Sequence, residues 1–176
     1  MTYNFKDLTA GLAVAGAVFA ASFGTTSAVA ADEAALEPAL EVITVTYDDG
    51  SEKAEKVLTL GDLMALPRNG FETETVWTEG VQRFDGVWLT DLVNSLEISE
   101  GLLELSALNE YLVEFNVPEI PESKALVAYL HNGEPMSARS KGPLWVVFPY
   151  DEGPEFQTEL TYMLSIWQLD RILVLP

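Results

Sequence analysis

The chain has 176 residues, with 28 Asp and Glu against 9 Lys and Arg, a net charge of −19, and no cysteine. The missing thiol excludes disulfides, thiolate zinc sites, iron–sulfur clusters, CxxC redox chemistry, a cysteine nucleophile and lipid attachment through cysteine. The charge repels phosphate backbones and anionic lipid surfaces, so nucleic acid is not expected as a partner; attraction of a cation or basic partner, or a merely well-solvated acidic surface, are the two readings left open.

Lys6 precedes an uncharged run over residues 8–31, rich in Ala, Gly, Val, Leu and Phe, which ends in Ala28-Val29-Ala30 before Asp32-Glu33. That order reads as a signal peptide over 1–30, cut after Ala30, and predicts a periplasmic or secreted protein with no membrane insertion once it is removed. A retained anchor is the alternative, because such a run in helical form just spans a bilayer core of about 30 Å. Residues 31–40 read as a flexible leader and 41–176 as a single domain, a size at which one core buries roughly 70% of the surface of the unfolded chain.

Within the domain, Ile43, Val45 and Tyr47 alternate with Thr44 and Thr46, Asp49-Gly50 supplies a turn, and residues 56–60 resume an apolar run, which predicts a hairpin. Thr59-x-x-Asp62 reads as a capping box opening a short helix with Leu60, Leu63 and Met64 on one face, stopped by Pro67. Phe71, Thr73, Thr75 and Trp77 alternate with Glu72 and Glu74 as a strand with one wet face would, and Glu79-Gly80 turns the chain. Leu89, Leu92, Val93 and Leu96 fall at helical spacing.

Residues 103–108 and 111–115 read as two short strands around Asn109-Glu110, and residues 125–130 as a third, followed by the tight-turn pair Asn132-Gly133. The uninterrupted apolar run 144–148 predicts a central strand buried on both faces. Residues 155–163 read as helical or irregular and 171–175 as a last strand, which together make an α+β domain of mixed and antiparallel short strands with few helices.

Four segments, in order, carry a resemblance: FDGVWLTDLV from Phe84, NEYLVEFNVPEIP from Asn109, ALVAYLHNGEPMSARSKGPLWVVFP from Ala125 and SIWQLDRILV from Ser165. They are similar to the aromatic-x-Gly-Val-x-Leu-x-Asp-Leu-Leu element, the Tyr strand entering an Ile-Pro turn, the Asn-Gly turn followed by Gly-x-Pro, and the closing Trp-x-x-x-Ile-x-Val strand of the molybdopterin-binding domain of the sulfite oxidase family. The resemblance implies that family's fold. In its enzymes a cysteine ahead of the aromatic-Gly-Val element coordinates molybdenum, whereas residues 73–86 here hold no cysteine and only a tight connection before Phe84. The family's arginine after Gly-x-Pro is replaced by Leu144-Trp145, and His131 is the only histidine.

The chain thus resembles the small exported oxidoreductase molybdopterin-binding-domain proteins that keep the scaffold and lack the metal-ligand cysteine. That implies a non-catalytic binding or accessory module. A molybdopterin-dependent oxidoreductase without a protein thiolate and a periplasmic partner-binding domain associated with a membrane sensor are the alternatives. Arg139-Ser140-Lys141-Gly142 is the tight cationic cluster of an acidic chain, and a glycine beside two cations is a pattern that admits an anion to backbone N–H groups; a solvated loop is the plain alternative.

Arg83, Tyr111, Arg139, Ser140 and Lys141 are therefore the candidate contacts for a small anionic ligand, or for molybdopterin if any is bound, and a protein partner is the other expectation. No catalytic residue and no metal ligand is assigned. The ordinary role for Arg83 is a cross-strand partner of Glu72 or Glu74, and for Tyr111 a buried, hydrogen-bonded phenol. Trp145 and Trp167 read as core, Trp77 and Trp88 as core or ligand pocket, His131 as exposed in its turn, and the acidic turns 48–52 and 151–155 as solvated rather than calcium-binding.

Overall fold

The computed structural model describes residues 36–176, so the segment read above as a signal peptide lies outside the described residues. Strands β1 (Glu41–Asp48) and β2 (Lys53–Thr59) form the expected hairpin. Its turn is local chemistry: the Asp49 carboxylate accepts the N–H groups of Ser51 and Glu52, each at 2.8 Å, and Gly50 takes a φ of 85°. The exposed edge of β2 carries Lys53 and Lys56, charges that discourage pairing with another chain.

Thr59 and Asp62 close the capping box, with the Asp62 carboxylate accepting the Thr59 N–H at 2.8 Å, and α1 (Leu60–Met64) follows. Leu60 and Leu63 are buried but Met64 is exposed, against expectation. In a helix of a single turn Met64 sits about 100° round from Leu63, and the core covers only the Leu63 side. Just upstream, the N–H groups of Leu60 and Gly61 donate to the carbonyls of Leu40 and Pro38, each at 2.8 Å, and Leu36 packs on the core, so residues 36–40 are held against the domain.

β3 (Asn69–Glu74) turns Phe71 and Thr73 inward and its glutamates outward. The alternation in sequence runs on to Trp77, yet the strand stops, because the Thr75 hydroxyl accepts the Trp77 N–H at 3.1 Å and bonds the Thr78 hydroxyl at 2.7 Å. This side-chain turn competes with the ladder and lifts Trp77 out of the sheet. β4 (Val81–Trp88) then pairs antiparallel with β3 and leads into α2 (Leu89–Ser95), whose Leu89, Leu92 and Val93 are buried.

β5 (Leu102–Ala107) and β6 (Leu112–Asn116) alternate buried and exposed residues. After α3 (Ile120–Ser123), β7 (Leu126–His131) pairs with β4 across an irregularity at Asp85/Gly86, where the two backbones approach so closely that a Cβ on Gly86 would run into the Val127 carbonyl. Asn132 and Gly133 take φ values of 54° and 84° and return the chain to β8 (Glu134–Pro135).

β9 (Trp145–Val147) is fully buried, as its apolar run requires, but it is not central. It pairs with β7 on one side; on the other it meets only an isolated bridge to Trp167 and the Ile166 carbonyl, which accepts the Val146 N–H at 2.7 Å. An unbroken apolar run reports burial of both faces, not the number of hydrogen-bonded neighbours. α4 (Glu159–Met163), capped by the Thr158 hydroxyl, and β10 (Leu169–Leu175) complete the chain.

The result is a mixed α+β fold with few helices and short, mostly antiparallel strands in two sheets, ordered β2-β1-β10-β5-β6 and β3-β4-β7-β8 with β9 beside β7. The parallel pair is β1 with β10. A larger apolar cluster joins residues of both sheets around Ile43, Leu63, Leu103 and Val127, and a smaller one gathers Phe71, Phe84, Trp145 and Val147 with Trp77, Trp88 and Trp167 at its margin. Among the described residues no helix is long and apolar enough to cross a membrane.

Candidate functional site

The margin of the smaller cluster opens into a cleft of about 600 Å³. Four half-exposed rings wall it: Trp77 from the turn after β3, Tyr111 from just before β6, Tyr162 from α4 and Trp167 from the approach to β10. Trp77 is the hinge of the arrangement, meeting Trp167 at 5.8 Å, Tyr162 at 6.0 Å and the buried Trp145 at 6.0 Å, all edge to face. Such tilted packing suits the ring quadrupoles better than a flat stack. Asn109, Met163 and Ser165 fill the gaps, and Glu159 is the charged residue of the lining.

Hydrogen bonds fix the walls. The Tyr111 hydroxyl donates to the Met163 carbonyl at 2.7 Å, tying β6 to α4. Behind Trp77, the Ser165 hydroxyl donates to the Thr161 carbonyl at 2.8 Å, so the Tyr150 hydroxyl 2.6 Å away is left to donate to Ser165. Burial holds the Tyr150 phenol well above its ordinary range, which keeps it a neutral donor. Ser165 has no imidazole beside it, since His131 bonds the Gln82 side chain at 2.8 Å, so the cleft holds no serine–histidine pair.

The five sequence candidates do not converge on one pocket. Tyr111 lines the cleft and is 44% exposed. Lys141 borders it, with its ammonium 4.4 Å from the Trp167 ring centre and 4.9 Å from that of Trp145; partial burial lowers its pKa. Arg139 and Ser140 stand exposed in the preceding loop. The N–H groups of Ser140 and Gly142 both donate to the Ser137 carbonyl, and the Gln168 amide clamps the loop through the Ala138 and Ser140 carbonyls. Gly142 is required there because a Cβ would collide with the Met136 backbone.

Arg83 lies elsewhere. Its neighbour Phe84 stacks on His131 at 5.1 Å and meets Trp145 edge-on at 5.2 Å, so strand alternation sends Arg83 to the opposite face of β4. There its guanidinium grips the buried Asp85 carboxylate with a fork of 2.8 and 3.2 Å, seconded by Arg68 at 3.6 Å. The Arg83 hydrogen bond is the main cause that holds Asp85 below the usual carboxylate range. Glu72 is opposite Arg83 in register, but the partner is on the same strand.

Reading the sequence missed Asn109, Glu159, Tyr162, Met163 and Ser165, and placed Trp167 in the core when one side of it faces the cleft. Signals existed in Trp77, which lies inside a Thr-x-x-Thr turn rather than in a strand, and in Tyr162, an aromatic on a helix of only five residues. His131 also departs from expectation: it is half-buried against Phe84, and desolvation, then the nearby Lys141 charge, lowers its pKa. The unfolded chain therefore takes up that proton first as pH falls through about 6.5, and stability drops below that point until the depressed folded value is passed. Replacing His131 with Gln is expected to flatten this step in urea unfolding measured from pH 7 to 5.

The acidic turn after β1 is occupied with its own backbone and with Lys53, 2.8 Å from Asp48. Among the described residues no group of three or more His, Asp or Glu side chains is placed to hold a metal ion. A molybdopterin does not fit the cleft either. Its phosphate would face Glu159 rather than a cation, the Lys141 ammonium is taken up by two indoles, and the chain has no thiolate to offer a metal.

No family model matches the chain. It is similar to the uncharacterized oxidoreductase YuiH of Bacillus subtilis (strain 168), with 28% identity over 100 residues, covering 53% of this chain and 50% of that protein. The match thus spans half the length of that relative, and it is consistent with an oxidoreductase-like domain.

Proposed function

We propose that this protein is an exported binding or accessory module built on a molybdopterin-binding-domain-like scaffold, and that it binds its ligand in the aromatic cleft without catalysing a redox reaction. The observation that carries this reading is the lining itself: four aromatic rings and one carboxylate, with no nucleophile–base pair. Rings and a few polar groups in a concave site suit binding and orientation. The likeness to an oxidoreductase-named protein supports the scaffold class, and the absence of cysteine supports loss of the metal chemistry. Lys6, the uncharged run 8–31 and its Ala28-Val29-Ala30 end before Asp32-Glu33 support export.

The test is metal and pterin analysis of protein recovered from its native compartment, together with electron transfer to a dye. Neither molybdenum nor pterin is expected in stoichiometric amount. Stoichiometric molybdenum with dye reduction would overturn the reading in favour of the oxidoreductase.

A further inference from the structure

We infer that the cleft takes a cationic nitrogen head group, an alkylated ammonium or a guanidinium; this rests on the proposal that the cleft is a binding site and names what it binds. Trp77, Tyr111, Tyr162 and Trp167 line one space, and Trp77 stands at 70° to Trp167 and 81° to Tyr162, so the rings make corners rather than a flat platform. Ring faces carry negative quadrupole charge, and several of them around one space attract a cation more strongly than they attract an uncharged group of equal size.

The charges agree. Glu159 is the charged residue of the lining. Of the cations nearby, Arg171 is engaged by Glu110 at 3.0 Å and Asp170 at 3.3 Å, and Lys141 reaches Trp167 without lining the cleft. Lys141 is itself evidence of the chemistry, since one lining indole, Trp167, already holds an ammonium at 4.4 Å, with the buried Trp145 behind the cleft at 4.9 Å. Its charge also opposes a second cation, so its removal strengthens binding. The net charge of −19 adds a field that concentrates cations at the surface. An anion would meet Glu159 with no lining cation to balance it.

The probes are choline and its uncharged isostere 3,3-dimethylbutan-1-ol, titrated into the whole domain while the tryptophan indole resonances are followed. Choline is expected to bind at least about fivefold tighter than the alcohol. Glu159→Gln should weaken choline about three- to tenfold and leave the alcohol unchanged, and Lys141→Met should tighten choline by a similar factor. Trp77→Leu should abolish binding; should that variant melt early, Tyr111→Leu, which alters an exposed ring with one hydrogen bond, carries the test with an expected loss of about fivefold.

Repeating the titration with amidated N-acetyl-arginine and N-acetyl-trimethyllysine tells a head group borne on a peptide from a free small cation. Equal affinity for choline and the alcohol overturns the inference while leaving the cleft a binding site, and so does the absence of any indole response at about 10 mM choline, a concentration above a weak millimolar site. Molybdenum with dye reduction would instead overturn the binding-module reading, whatever choline does.

Discussion

Trp145→Ala is expected to lower the unfolding free energy by about 4 kcal/mol, the range for deleting a large buried ring, and to lower the melting midpoint by about 10 °C in a domain of this size. Trp145 is 0% exposed and stands at the centre of the aromatic group: Phe84 meets it at 5.2 Å, Trp77 at 6.0 Å and Trp167 at 6.4 Å, with Lys141 above it. Truncation therefore empties the support of the cleft as well as the core of the smaller cluster. Trp145→Phe keeps an aromatic ring in the site while removing the indole N–H and part of the volume. The indole Nε1 has no hydrogen-bond partner, so its loss strands nothing, and the cost should stay below about 2 kcal/mol. Urea unfolding of the two variants checks this; equal losses would mean that ring volume is not what the site depends on.

Gly86→Val is expected to cost about 3 kcal/mol or more, the upper range for overpacking. A Cβ there would overlap the Val127 carbonyl oxygen and the Ala128 Cα, both backbone atoms of β7, which cannot withdraw without opening the β4–β7 ladder. The collision arises at the first side-chain atom, so Gly86→Ala should already carry most of the loss. Gly80→Ala is the control: open space surrounds Gly80, and only its φ of 65° opposes a side chain, which costs about 1 kcal/mol. If the Gly86 and Gly80 alanine variants unfolded at the same urea concentration, the close approach of the two strands would be refuted.

Local chemistry was the legible part of this fold. Asp49-Gly50, Thr59-x-x-Asp62 and Asn132-Gly133 each act within four residues, and each forms as its side chains dictate. What lay beyond reach depends on partners distant in sequence. The run 144–148 announced its burial but not that β9 would have β7 as its one strand neighbour. The phase of β4 decides that Arg83 and Phe84 part company, and phase follows from which face the core takes. The candidate site was legible only in Tyr111 and in Trp77, left open between core and pocket; Glu159 and Tyr162 enter it because α4 docks beside β6 through the Tyr111–Met163 hydrogen bond, a contact between residues 52 positions apart.

The placement of β10 between β1 and β5 has a consequence for how this protein comes into being. Residues 169–175 form the middle of a sheet whose other strands all precede them in sequence, so a nascent chain that has not yet released them holds, in place of that sheet, two separate hairpins. Closure of this sheet must wait until β10 has emerged, and the long loop to be closed makes that step slow. For an exported polypeptide, as proposed here, that delay is an asset wherever the chain is threaded through a membrane: this sheet cannot close until β10 has been delivered.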